Sequence, residues 1–268
     1  MPEALLAGRH TYWRKMGDDG RPVVALHCAL AQSGTFSGLS AALPALCLIA
    51  PDFPGHGKSA EWDGRGDYHD EATRVVRALL ARMPGPVALI GHSFGATVAL
   101  RIALDVPEAV SALVLFEPVL FCAARSAGGP AYADHIAAHA GFGAALRAGD
   151  NRTAAAAFQA MWGTGQAFED MPAAHQDYIA ARIALIEAQN PALNADAAGM
   201  LAYGRLEAVG VPVLLVQGEH SPPIIEAINS ELARRLPQVS RATVAGAGHM
   251  LPVTHAADCA ALVRGFLA

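Results

Sequence analysis

The run Val87-Ala88-Leu89-Ile90-Gly91-His92-Ser93-Phe94-Gly95 carries an apolar stretch straight into a serine bracketed by glycines. Val87–Gly91 reads as a buried strand, and Phe94–Val106, ended by Pro107, reads as a helix, so Ser93 falls on the turn between them. G-x-S-x-G in that strand–turn–helix setting is a nucleophile elbow. Such a sharp turn strains the serine backbone, and side chains at Gly91 or Gly95 would collide with the packed strand and helix. The turn lifts the Ser93 hydroxyl clear and aims the first helical N–H groups at any negative charge that develops there. A glycine-rich turn with an incidental serine is the bland alternative, and the flanking strand and helix argue against it.

Working outward, β and α segments alternate. Strands are predicted at Leu46–Ala50, Leu113–Phe116, Val211–Gln217 and near Arg241–Val244, with helices over Tyr68–Met83, Ile224–Leu236 and Ala256–Leu267. Continuously apolar strands separated by helices predict an α/β, mostly parallel, doubly wound sheet covered on both faces. Near the N-terminus, a strand at His10–Met16, a turn at Gly17-Asp18-Asp19-Gly20 and a strand at Val23–His27 read as a hairpin. The alternation breaks between about Phe121 and Glu207, which is alanine-rich and free of strand signals. Helices are predicted there around Tyr132–His139, Arg152–Met161 and Ala173–Gln189. The chain is therefore read as a core of residues 1–120 and 208–268 with an all-helical cap over 121–207, lying across one sheet edge.

Composition agrees. The 268 residues are 53% hydrophobic and 16% charged, with mean hydropathy +0.29, which suits a large core and excludes a disordered chain. Pro22–Pro51 lacks any Asp, Glu, Lys or Arg, yet His27, Gln32, Ser33, Gly34, Thr35 and Pro44 interrupt it, so no membrane span is expected. The formal net charge is −5, Lys15 and Lys58 are the sole lysines, and the arginines are scattered. Nucleic acid and anionic membrane surfaces are thus excluded as expected partners, leaving a small-molecule substrate. Cys28, Cys47, Cys122 and Cys259 are far apart and form no CxxC or Cys/His metal spacing, so reduced structural thiols and no metal are expected. Met1–Lys15 shows no basic segment followed by an apolar one, so the expectation is a cytoplasmic protein.

Four blocks, taken in order, resemble the α/β-hydrolase fold family: Leu26-His27-Cys28-Ala29, Pro51-Asp52-Phe53-Pro54-Gly55-His56-Gly57-Lys58-Ser59, the Ser93 elbow, and Gly246-Ala247-Gly248-His249-Met250. The resemblance covers roughly Val23–Pro118 and Val211–Leu267, and leaves the helical segment outside it. It implies a serine hydrolase with no cofactor, and the apolar pocket candidates Phe158, Met161, Trp162, Phe168, Phe94 and Met250 favour a small to medium, largely apolar ester or lactone as substrate. His249, in a loop of small residues after a strand, where the family places its catalytic histidine, is expected to be the general base that takes the Ser93 proton. The oxyanion hole is expected from the backbone N–H groups of Phe94 and Ala29, although His27-Cys28 stands where the family usually has His-Gly. Ser93 also sets the chain apart from family branches with an aspartate nucleophile, the haloalkane dehalogenases and epoxide hydrolases.

The acid of the triad departs from the family pattern. Its commonest position follows the strand Val211–Gln217, where this chain reads Gly218-Glu219-His220-Ser221-Pro222 with Ser221 in the acid's place. Glu117, in Phe116-Glu117-Pro118 at the end of an earlier strand, is the preferred reading; Glu219 is the alternative. Pro118 is expected to hold Glu117 extended, and Asp52 is read as a structural residue of its turn. Candidate substrate-binding residues are His27 and His92 beside the elbow, Phe158, Met161, Trp162 and Phe168 from the cap, and Met250 and the Phe94 side chain from the core. His56 is read as structural, and His135, His139 and His175 as polar cap residues. Carbon–carbon bond hydrolysis, thioester hydrolysis, a lyase reaction and a non-catalytic receptor are the alternatives, because fold alone does not fix function.

Overall fold

The computed structural model describes residues 2–17 and 20–268. Its strands are β1 (Glu3–Leu6), β2 (Arg9–Met16), β3 (Arg21–Leu26), β4 (Leu46–Pro51), β5 (Val87–His92), β6 (Val110–Phe116), β7 (Val213–Gly218) and β8 (Val239–Val244). They form one sheet in the order β1-β2-β4-β3-β5-β6-β7-β8. β2 runs antiparallel to both of its neighbours, and every pair from β4 to β8 is parallel. The helices are α1 (Ser37–Ala41), α2 (Tyr68–Leu80), α3 (Phe94–Asp105), α4 (Phe121–Ala127), α5 (Ala131–Ala138), α6 (Ala140–Arg147), α7 (Asn151–Trp162), α8 (Ala173–Arg182), α9 (Ala184–Ala188), α10 (Asn190–Leu193), α11 (Pro223–Arg235), α12 (Leu251–Thr254) and α13 (Ala256–Leu267).

The expected N-terminal hairpin does not form. β4 lies between β2 and β3, antiparallel to the first and parallel to the second. Asp18 and Asp19 of the expected turn lie outside the described residues. The glycines beside them answer a different need: a Cβ at Gly17 would stand 2.6 Å from the Leu46 carbonyl oxygen, and one at Gly20 would stand 2.4 Å from the Leu46 carbonyl carbon. The link passes tightly over the start of β4, and only glycine fits under it.

Alternating side chains of the central strands feed two cores, as the period of a strand requires. Val24, Leu26, Leu89, Leu113 and Leu115 pack with α2, α3 and α11 on one face. Val23, Ala25, Ile90, Val114 and Phe116 pack with α1 and α13 on the other. Burial of each such side chain stabilises the fold by about 1.5–3 kcal/mol, so two-sided coverage accounts for the near-continuous apolar strands. Between β6 and β7 the chain is helical, α4 to α10, with a small core of its own around Phe142, Ala154, Phe168, Ile179 and Ile183. Trp162 and Leu193 leave that cluster and join the main core. Among the described residues, no helix is long and apolar enough to cross a membrane.

The parallel register fixes where chemistry can sit. His92 pairs with Phe116, Phe116 with Val216, and Gly218 with Val244. The strands therefore end level, and Ser93, Glu117, Glu219 and the loop leading to His249 all emerge at one carboxyl edge, the usual ligand side of such sheets.

Candidate active site

Ser93 immediately precedes α3 with φ +56° and ψ −117°, a backbone conformation that few non-glycine residues adopt. It is held there by its own N–H, which donates to the Phe116 carbonyl at 2.9 Å. The flanking glycines permit the turn. A Cβ at Gly91 would come 2.5 Å from the Ala96 Cα, and one at Gly95 would come 2.1 Å from the Leu26 carbonyl oxygen. β3, β5 and α3 are packed against the elbow so closely that no side chain fits.

His249 Nδ1–H donates to Glu117 Oε2 at 2.6 Å, and both side chains are buried. Glu117 Oε1 accepts a second bond from Gly218 N–H at 2.7 Å and a third from the Ser221 hydroxyl. Glu117 is not extended as expected before a proline: its φ is +49°. Its N–H is fixed to the Val216 carbonyl at 2.9 Å, and the three bonds on its carboxylate hold the side chain, so tertiary contacts override the local bias of Pro118. Glu219 does not reach the histidine. It is exposed, and its Oε2 accepts Gly246 N–H at 2.8 Å, stapling the loop that carries His249.

The loop after β3 is braced by two histidines. His27 Nε2 accepts Phe53 N–H at 3.0 Å while its Nδ1–H donates to the Cys28 carbonyl. His56 Nε2 accepts Leu30 N–H at 3.1 Å and its Nδ1–H donates to the Pro54 carbonyl. Each ring is neutral in this arrangement, and burial lowers the pKa of both, His56 to about 3. Leu30 itself has φ +59°, so the brace fixes a strained turn next to Ala29. Among the described residues no acceptor meets the N–H of Ala29 or of Phe94. Asp52 is structural, its two oxygens accepting the N–H groups of Ser33 and Lys58. Burial pushes the Cys28 thiol up to about 12, leaving it inert as a nucleophile.

Two chambers meet at Ser93. Both open to solvent: the inner, about 350 Å³, lies against the helical segment, and the outer, about 720 Å³, lies beside His249 and Met250. Ser93, Ala29, Phe158 and Trp162 line both. Trp162 sets its ring edge on His249 with centroids 4.6 Å apart and donates Nε1–H to His139 Nε2 at 2.9 Å.

Several expected pocket residues lie elsewhere. His27 is consumed by the brace just described. His92 is fully buried and donates Nε2–H to the His249 carbonyl at 2.9 Å, clamping the loop rather than facing a chamber. Met161 packs on the main core, Phe168 sits inside the helical cluster, and the Phe94 ring is enclosed by Phe53, Tyr68 and His69. Sequence reading missed Ser221 as a partner of Glu117 and His56 as the brace of the Ala29 loop. A hydroxyl standing at the usual acid position was the one available signal for the first; the second needs the contact across 26 residues.

Residues 23–262 match the alpha/beta hydrolase family, and the chain belongs to that family. The lipase LipV of Mycobacterium tuberculosis is 33% identical over 98 residues, 37% of this chain and 37% of that protein. Curated relatives of this kind are thus matched over about a third to a half of their length. An alpha/beta hydrolase from Sphaerobacter thermophilus superposes with TM-score 0.77 at 21% identity, covering 99% of this chain and 100% of that one. The enol-lactonase from Burkholderia xenovorans does so with TM-score 0.78 at 19% identity, covering 99% of each. At these identities the likeness shows the fold.

Proposed function

We propose that this protein is a serine hydrolase that cleaves a small to medium carboxylic ester or lactone through an acyl-enzyme on Ser93, with His249 as base and Glu117 as acid. The observation that carries this reading is the 2.6 Å bond from His249 Nδ1 to Glu117, which leaves the other ring nitrogen, unengaged among the described residues, on a residue that lines the same chamber as Ser93. His249 Nε2 takes the Ser93 proton as Oγ attacks the carbonyl carbon. The carbonyl oxygen becomes an oxyanion held by the N–H groups of Phe94 and Ala29, each of which supplies about 3 kcal/mol of transition-state stabilisation. Collapse breaks the ester C–O bond, and His249 returns its proton to the leaving oxygen. Water, deprotonated by the same nitrogen, then releases the acid and restores Ser93.

The chambers divide the substrate. His249 lines the outer chamber and must protonate the leaving oxygen, so the alcohol portion occupies that side and the acyl portion the inner one. The 121–207 segment acts as a cap over both. The lipase and enol-lactonase among the similar proteins fit an ester-bond substrate. Hydrolysis of p-nitrophenyl butyrate by the purified protein tests the reading. A turnover that falls by at least about 10⁴-fold in Ser93→Ala supports it; equal rates in the two proteins would refute it.

A further inference from the structure

The inner chamber contains an amide with nothing to bind. Gln189, at the end of α9, lines that chamber, is 2% exposed, and its Nε2 has no hydrogen-bond partner. A buried donor left unpaired costs more than an ordinary hydrogen bond gains, so a fold keeps one where something else completes it. Among the described residues no hydrogen bond holds its Oε1 either, so the soft two-fold terminal torsion can exchange the oxygen for the N–H groups at the chamber without breaking one. The neighbouring amides are linked to each other: Asn194 Nδ2–H donates to Asn190 Oδ1 at 2.8 Å, and Tyr132 donates to Asn194 Oδ1. Gln189 stands apart from that network.

The remaining lining says what kind of acceptor fits. Val119, Phe121, Phe142 and Leu193 give the chamber an apolar wall, which suits a hydrocarbon chain. Charge is poorly provided for. Arg147 and Glu187 are exposed and opposite in sign, so they present no net cation. His135, stacked on Phe121, is held neutral by burial, its pKa pushed down to about 3. A carboxylate would enter without a buried counter-charge, at a cost that a single amide cannot offset.

Resting on the ester-hydrolase reading above, we infer that the inner chamber is a subsite for an acyl chain bearing a neutral carbonyl oxygen, an oxo-acyl group, with Gln189 as the donor that recognises it. Gln189 is a specificity residue and takes no part in bond making or breaking.

Binding is measured apart from turnover. With Ser93→Ala protein, titration calorimetry compares p-nitrophenyl hexanoate with its 3-, 4- and 5-oxo analogues, repeated in Ser93→Ala proteins that also carry Gln189→Met or Gln189→Glu. At least one oxo ester should bind about tenfold more tightly than hexanoate, the effect of one hydrogen bond to an otherwise unpaired donor. That preference should vanish in both Gln189 variants, whose folding is checked by near-ultraviolet circular dichroism. Equal affinities for all four esters, or a preference that survives both substitutions, overturns the subsite. Turnover of the same esters by the Ser93 protein reports on the parent reading separately: absence of Ser93-dependent hydrolysis refutes the hydrolase, whereas hydrolysis with equal affinities refutes only the subsite.

Discussion

Ser221 donates its hydroxyl proton to the carboxylate of Glu117, the same group that receives His249 Nδ1–H on its other oxygen. The residue standing where the family commonly has its acid thus touches the acid this chain uses in the proposed triad. Position 221 on the β7 loop and position 117 on the β6 end are adjacent in space because β6 and β7 are parallel neighbours ending level. A carboxylate could approach the histidine from either.

Glu117→Gln should lower kcat by roughly 10⁴-fold, about 5 kcal/mol, with KM little changed, because an amide cannot stabilise the imidazolium or hold the productive tautomer. Glu219→Gln should cost less than about tenfold, since Glu219 binds Gly246 N–H and not the histidine. Steady-state kinetics on both variants check this. A severe loss in Glu219→Gln alone would reverse the assignment.

The adjacency of positions 117 and 221 can be used directly. Glu117→Ala should be rescued by adding Ser221→Asp, with a recovery of about 100-fold in kcat over Glu117→Ala alone; complete rescue is not expected, because the Gly218 N–H that steadies Glu117 is placed for the longer side chain. A double variant no more active than Glu117→Ala would show that position 221 cannot present a carboxylate to His249.

Trp162 divides the two chambers and packs on His249. Trp162→Ala should merge the chambers and broaden acyl chain-length preference, seen as a flattened profile over acetate to decanoate esters. It should also destabilise by about 3–5 kcal/mol, because the ring is buried and its N–H leaves His139 without a donor. A lower melting temperature with an unchanged chain-length profile would reduce Trp162 to packing.

Stability should fall in mild acid. Burial pushes His56, His69, His92 and His135 down to about 3 in the folded protein, against about 6.5 in the unfolded chain. The unfolded state binds more protons between those values, so stability is fully present above about pH 6.5 and is lost as pH drops toward about 3. His69→Gln, in α2 beside Phe94 and Thr97 but outside the proposed triad, should reduce the slope of unfolding free energy by about 1.4 kcal/mol per pH unit between about pH 4 and 6. Urea titrations across that range test it; an unchanged slope would mean that His69 titrates normally in the folded protein.

The parallel core and the strand–turn–helix at Ser93 were legible because they rest on local signals, apolar runs and glycines around a serine, whereas His249 and Glu117 were singled out through the family resemblance. The N-terminal pairing was not. Gly17 and Gly20 look like turn residues in sequence, whereas their need for glycine comes from β4, whose strand lies more than 20 residues away. His27 and His92 were correctly placed near the elbow, yet distance along the chain cannot tell a ring that faces a chamber from one that ties down a loop. The extended backbone expected at Glu117 failed for a related reason. Pro118 biases its neighbour weakly, while the bonds from Gly218, Ser221 and His249 all act on that one side chain. Gln189 carried no sequence signal at all, since its meaning lies in a missing partner.

The central claim is that Ser93 is a nucleophile activated by its surroundings, and covalent labelling tests it without knowledge of the substrate. The protein is treated with a fluorophosphonate and examined by intact mass and peptide mapping. One adduct per chain on Ser93, absent in Ser93→Ala and much slowed in Glu117→Gln, is the result this account predicts. No adduct on the native protein, or an adduct that persists in Ser93→Ala, would contradict it.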